Sequence, residues 1–146
     1  MTLIRIAPLI EDDRNDWERL ARGYKAFYKT EVPDAGYATA WKRLHGEDAV
    51  FALGARRDDK LVGIAHSLFH TTIWAPKTCY LQDLFVDPLA RGLGIARALI
   101  EGVAAIARER GAQRLYWHTQ EHNATARALY DKVAAFNGFI RYEFPL

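Results

Sequence analysis

The segment Leu84–Arg97, LFVDPLARGLGIAR, constrains this chain more than any other. A β-forming apolar run meets Asp87–Pro88, and proline, which cannot donate to a ladder, ends the strand there. Gly92 and Gly94 then open an amphipathic helix. Its inward face reads Ala96, Leu99, Ile100, Val103, Ile106 and Ala107, with Gly111 just past its end. A strand feeding such a helix is the first half of a β–α–β crossover, which is right-handed and joins parallel strands. The first N–H groups of the helix lack intrahelical partners and carry the positive end of its dipole, and flanking glycines let an anion reach them. The segment predicts an α/β chain with a phosphate-binding turn.

Around it the elements read β, α, α, β, β, β, α, β, α, β. Leu3–Ala7 is a short strand stopped by Pro8. Trp17, Leu20, Ala21, Tyr24, Phe27 and Tyr28 recur at helical spacing and mark one inward face, with the acidic run Glu11–Asp13 at the positive end of that helix. Tyr37, Ala40, Trp41 and Leu44 mark a second helix, ended by Gly46. Ala49–Ala55 and Leu61–Phe69 form a hairpin about the polar turn Arg57–Lys60. Thr78–Val86 is the strand that enters the glycine turn, and Gln113–Thr119 follows the long helix. Asn123 caps a last helix with Ala126, Leu129, Tyr130, Val133 and Ala134 inward, and Gly138–Phe144 closes as a strand. The predicted fold class is α/β (α+β): a central mixed sheet, antiparallel and then parallel, with helices on both faces.

Composition narrows the function classes. The 146 residues suit one domain over 1–146, and a 50% hydrophobic, 26% charged chain is neither disordered nor fibrous. The net charge is +2, and no basic cluster is interleaved with aromatics, so nucleic acid is not an expected partner. No apolar run approaches a membrane span. The opening Thr2–Leu3–Ile4–Arg5 is too quickly charged for a signal peptide. The single cysteine, Cys79, excludes an internal disulfide and reads as a small core residue in a reducing compartment. The expected location is cytoplasmic.

The glycine turn fits neither common nucleotide motif. A dinucleotide fingerprint needs glycine or alanine where Arg97 stands and an acidic end to the next strand, which here ends Trp117–His118–Thr119. A nucleoside-triphosphate loop needs Gly-Lys-Ser/Thr, which is absent. Arg91-x-x-Gly94-x-Ala96, after a strand ending Val86–Asp87–Pro88, resembles the acyl-CoA pyrophosphate loop of the GNAT superfamily of N-acetyltransferases. Asn123-x-x-Ala126-x-x-Leu129–Tyr130 resembles that family's second motif, and Gly138–Phe139 its closing strand. Tyr80–Val86 is similar to the corresponding strand of polyamine and small-amine acetyltransferases, whose fungal relatives act on histones, polyamines or amino acids.

The resemblance implies acetyl-CoA as co-substrate and a set of roles. Backbone groups of Leu84, Phe85 and Val86 pair with the pantetheine arm. Gly92, Leu93, Gly94, Ile95, Ala96 and Arg97 cradle the pyrophosphate, with positive charge from Arg91 and Arg97. Asn123 binds the cofactor further along, and Tyr130 protonates the leaving thiolate. The acceptor is a primary amine, of a small molecule or of a protein lysine, attacking directly in a ternary complex. Tyr28, Glu31, Gln82 and His118 are candidate acceptor contacts. Gln82 stands where polyamine-type relatives often carry a glutamate base, and it cannot usefully accept a proton. Asp83 alternates to the other sheet face. Glu121, His118 and His122 are left as bases acting through water. The resemblance also implies a homodimer sharing C-terminal strands.

Other features carry less. His118–His122 matches a zinc-peptidase string but leaves a strand instead of lying on one helix, and no metal site is expected. His66 and His70 share a strand face but stand four residues apart, too far for one metal. Tyr24, Phe27, Tyr28, Tyr37 and Trp41 read as core, with Glu31 and Asp34 in the loop between their helices. The alternative to an enzyme is a non-catalytic acyl-CoA-sensing module.

Overall fold

The computed structural model describes residues 3–46 and 49–146; Thr2 lies outside that range. The strands are β1 (Ile4–Pro8), β2 (Val50–Arg57), β3 (Lys60–His70), β4 (Thr78–Val86) and β5 (Leu115–Tyr116). The helices are α1 (Arg14–Phe27), α2 (Asp34–Leu44), α3 (Ile95–Glu109) and α4 (Ala124–Val133). The strands form one sheet in sequence order, antiparallel from β1 to β4, with β5 parallel to β4. This is the mixed sheet that the sequence predicts. Pro8 is the last paired residue of β1, opposite Leu53, and does not precede the break.

Each face of the sheet buries a separate apolar layer. On one face Ile95, Leu99, Ile100 and Val103 of α3 close over Leu53, Val62, Leu81 and Val86. Leu129, Tyr130 and Val133 of α4 pack against the same layer. On the other face Trp17, Leu20 and Trp41 of α1 and α2 close over Leu61, Ile64 and Phe85. The Trp17 and Trp41 rings lie 5.1 Å apart. The predicted inward faces of α1 to α3 hold, with one correction. Phe27 is 51% exposed, because the helix ends there and its side chain turns off the buried stripe.

Two expected strands differ. Gln113–Thr119 pairs only at Leu115 and Tyr116, opposite Cys79 and Tyr80. Gly138–Phe144 forms no strand. Phe139, Ile140, Tyr142 and Phe144 are between 72% and 87% exposed, and the chain has one crossover instead of two. Their apolar content is that of a strand, but a ladder needs a partner edge, and among the described residues none pairs with them.

The start of α1 is fixed to the sheet by a buried ion pair between Arg56 and Asp13, each side chain 10% exposed. The second Asp13 oxygen accepts from the Ile10 N–H at 2.8 Å. Breaking a buried pair strands a charge and costs about 3–5 kcal/mol, whereas an exposed pair contributes at most about 1 kcal/mol. Urea titration of Asp13→Ala is therefore expected to show a loss of about 3–5 kcal/mol. Asp59→Ala, which removes the exposed Arg5–Asp59 pair, is expected to stay below about 1 kcal/mol. Equal losses would show that the buried pair does not anchor α1.

Candidate active site

The site begins where β4 loses a neighbour. β3 pairs with β4 from Thr78 to Val86, but β5 pairs only with Cys79 and Tyr80. From Leu81 to Val86 the other edge of β4 meets no strand among the described residues. That leaves the backbone of Leu84, Phe85 and Val86, predicted to hold an extended ligand, with an open ladder edge.

The register of β4 also slips beside this opening. Ser67 pairs with Leu81 and His66 with Asp83, so Gln82 is an extra, exposed residue in a β-bulge. The bulge reverses the alternation: Leu81 and Leu84, three apart, both face the α3 layer. Asp83 consequently faces α1. The expectation that Asp83 lies on the sheet face away from the acceptor is corrected, since strict alternation holds only where pairing is unbroken.

Asp83 is fixed there by a chain of side chains that sequence reading missed. His66 Nδ1 lies 2.9 Å from Asp83 Oδ2, and Trp17 Nε1 donates to His66 Nε2 at 2.9 Å. An indole N–H only donates, so Nε2 presents its lone pair and the ring proton sits on Nδ1, directed at the carboxylate. Tyr24 also donates toward Asp83. Burial pushes the Asp83 carboxyl up, but the His66 hydrogen bond, with Tyr24 and Lys25, outweighs it and holds the group below its ordinary value. Tyr24 is raised, by burial first and by the Asp83 charge second. The only sequence signal was Trp17 and His66 on facing inward stripes; the bulge that completes the set left none.

Tyr130 projects from α4 beside Trp117, ring centroids 5.3 Å apart. Burial pushes its hydroxyl up to about 12, and the nearby Tyr28 adds to this. α4 and α1 lie on opposite sheet faces, so these two tyrosines approach each other at the opening between β4 and β5. The Tyr28 ring lies tilted against Tyr24, centroids 4.9 Å apart. His118 lies on the α1 side, its Nδ1 3.3 Å from the Tyr80 hydroxyl. Glu31 is exposed in the α1–α2 loop and is not brought to Asp83 or Tyr130. Glu121 and His122 sit in an exposed turn before α4.

The glycine turn takes the predicted form. Gly92 and Gly94 have φ of +81° and +76°, and a Cβ at either would meet nothing within 4 Å, so the turn lies open ahead of α3. Gly94 is the N-cap, and Ile95, Ala96 and Arg97 supply the first unpaired helical N–H groups. Asp87 tightens the approach: it accepts from the Leu89 N–H at 3.0 Å and from Arg19 Nη1 at 2.8 Å. These contacts, the Leu89 N–H first, hold its carboxyl below the ordinary value. Arg91 Nε donates to the Val86 carbonyl at 3.3 Å, and Arg97 Nε pairs with Glu101 at 3.0 Å on the exposed side of α3. Gly23, Ala26 and Phe27 of α1 line a groove with Phe85, Pro88 and Arg91. The Asn123 side chain caps α4, accepting from Ala126 N at 3.4 Å, and donates to Thr119 Oγ1 at 3.3 Å.

An open strand edge leading to an uncovered, dipole-positive helix start suits an extended ligand with an amide-rich arm and a pyrophosphate, as in CoA. Comparison with known proteins agrees. Residues 16–136 match the acetyltransferase (GNAT) family. The chain is 36% identical over 127 residues to the D-amino-acid N-acetyltransferase HPA3 of Saccharomyces cerevisiae, covering 84% of this chain and 78% of the yeast protein. It is 32% identical over 120 residues to the thialysine N-epsilon-acetyltransferase of Bos taurus, covering 82% and 71%. Among solved structures, a ribosomal-protein-alanine N-acetyltransferase from Brucella melitensis biovar Abortus 2308 superposes with a TM-score of 0.79 at 28% identity, over 99% of this chain and 100% of that one. The open edge of β4, the glycine-started α3 and a family match spanning both place this chain in the GNAT family, as an acetyl-CoA-dependent N-acetyltransferase.

Proposed function

We propose that residues 1–146 act as one catalytic domain that acetylates a small-molecule primary amine. The observation that carries this is the meeting of three features at one opening: the unpaired edge of β4, the start of α3, and the Tyr28–Tyr130 pair. Bound acetyl-CoA supplies an acetyl group activated as a thioester, with a thiolate as leaving group. Backbone groups of Leu84 to Val86 hold its arm, and the N–H groups after Gly92 and Gly94 hold its pyrophosphate, with Arg91 and Arg97 adding positive charge. Asn123 shapes the turn that leads into α4. The amine nitrogen bonds to the acetyl carbon as the carbon–sulfur bond breaks; the departing sulfur takes the Tyr130 Oη proton, and the proton shed by the amine passes to solvent, which reprotonates Tyr130. The acceptor enters from the α1 side, past Tyr28, Gln82 and His118.

Transfer is direct in this reading. Cys79 is fully buried under α3, and burial pushes its thiol up to about 11 against the opposing charge of Arg110, so it is no nucleophile. The names of the yeast and bovine relatives, acting on D-amino acids and thialysine, favour a small amine over a protein lysine. No helix among the described residues is long and apolar enough to cross a membrane. The lone buried thiol supports a reducing, cytoplasmic setting. A homodimer is proposed for the exposed tail, whose Phe139, Ile140, Tyr142 and Phe144 would add a strand to a second copy.

Four outcomes test this reading. Gly94→Glu adds bulk and negative charge at the turn, and calorimetry is expected to show acetyl-CoA affinity lost with the fold retained. Unchanged affinity in the folded variant removes the turn from the site. Tyr130→Phe is expected to slow turnover of a small amine by about 10²–10⁴-fold, with acetyl-CoA affinity little changed. A hydroxyl held up to about 12 stays protonated below that pH, so Tyr130 should add no high-pH limb near 10 to the rate profile. Turnover within twofold of wild type excludes it as the acid. Light scattering at micromolar concentration should give twice the 16.6 kDa chain mass, and a tail truncated before Gly138 should return the monomer mass. A panel of amino acids and diamines set against a lysine peptide chooses the acceptor class; acetylation of the peptide alone overturns the small-amine reading.

A further inference from the structure

Asp83 is a carboxylate that no arginine or lysine among the described residues pairs with. Its side chain is 14% exposed, yet among the described residues its only ion-pair partner is His66. Other enclosed carboxylates here have arginine: Asp13 has Arg56, and Asp87 has Arg19. His66 does not serve that purpose while Trp17 holds its Nε2, because that hydrogen bond fixes the ring with its proton on Nδ1 alone. Lys25, whose charge reaches Asp83, makes no ion pair with it and stands over the outer Tyr24 ring, its Nζ 5.7 Å from the centroid. The protein thus builds a three-residue brace, Trp17 to His66 to Asp83, around a negative charge that no arginine or lysine among the described residues contacts directly, at an exposure where charges are ordinarily paired.

The surroundings say what compensates it. The bulge at Gln82 turns Asp83 toward α1, within a few residues of the point where β4 and β5 part. Tyr24 approaches the carboxylate, the Tyr28 ring lies 4.9 Å from the Tyr24 ring, and the Asp83 charge acts on Tyr80. Aromatic faces around a carboxylate favour an organic cation over a hydrated metal ion. No group of side chains suited to a metal is found among the described residues.

We propose that Asp83 is the specificity-determining anchor for an ammonium group of the acceptor, and that His66 and Trp17 are positioning residues that keep its carboxylate aimed and ionised. This rests on the acetyltransferase reading of the opening. A carboxylate stabilised by a donated hydrogen bond binds a cation well and takes a proton poorly, so Asp83 recognises charge and is not the base. Gln82, carried outward by the bulge, leaves that position to Asp83.

The test reads charge selectivity apart from turnover. Pentylamine, an ammonium ion at pH 7, and the neutral pentan-1-ol are titrated separately into the protein, with and without CoA. Binding is followed through the Trp17 indole N–H and the His66 ring nitrogens by NMR. Pentylamine is expected to shift these signals saturably and to bind about 10–100-fold more tightly than the alcohol, the range of a charged hydrogen bond. Asp83→Asn should abolish that ratio while leaving CoA affinity unchanged. With an acceptor identified by the amine panel, Asp83→Asn should raise KM far more than it lowers kcat. Equal binding of amine and alcohol to the wild-type protein overturns the proposal, whether or not the variant folds. So does a His66 ring protonated at Nε2 and bare at Nδ1. Failure of CoA to bind would count against the wider reading of the opening, whereas the amine-to-alcohol ratio in CoA-free protein still decides the role of Asp83.

Discussion

β4 is held on one edge along its whole length and on the other for two residues. Every chemical feature of the molecule depends on that imbalance. A central strand with an unpaired edge is unfavourable unless something else satisfies its N–H and C=O groups. The chain tolerates the open edge because both sheet faces over β4 are covered. Phe85 is clamped by α1, and Leu81, Leu84 and Val86 by the α3 layer. Side-chain burial fixes the strand, so its backbone edge is free for a ligand that extends the sheet by pairing as another strand would.

The extra residue at Gln82 sits where the strand changes use. Before it, β4 is an ordinary interior strand; after it, β4 lines the opening. A bulge bends its strand and raises the local twist, which helps β4 diverge from β5. It also swaps the faces of the residues that follow, bringing Asp83 under Tyr24 while Leu84 and Val86 return to the α3 core. Tight packing makes this arrangement specific. A Cβ at Gly23 would come within 2.9 Å of the Phe85 ring, so the glycine lets α1 lie close against β4.

Much of this was legible in the sequence and some was not, for definite reasons. α1, α2 and α3 were readable because each carries a 3.6-residue apolar stripe that the sheet buries. The glycine turn was readable because positive φ and an open approach both demand glycine at 92 and 94. Asp83 was misread because alternation assumes unbroken pairing, and an exposed glutamine at a bulge looks like one on a regular strand. Gly138–Phe144 was misread for a related reason. Alternating apolar residues show that a segment favours strand geometry, but they do not supply a ladder partner, and among the described residues none pairs with this segment. Periodicity reports on the faces of an element and says nothing of its edges, and the candidate site of this protein is an edge.

The same geometry separates charge across the sheet. The start of α3 presents unpaired N–H groups at a dipole-positive end, and Arg91 is held nearby by the Val86 carbonyl. Asp87, an acidic group close to it, is paired with Arg19 and the Leu89 N–H. On the α1 side, upstream along β4, stands Asp83, ionised and paired with no arginine or lysine among the described residues. In the proposed reading, the end of β4 meets an anion and its middle a cation, with Asp83 and Asp87 four residues apart. At about 3.3 Å per residue, that separation is roughly 13 Å along the chain, too long for the two groups to share one ligand atom. On that reading, two oppositely charged reactants meet separate groups along one strand and come together at the opening where β4 and β5 part, because that is where the sheet leaves β4 an unpaired edge.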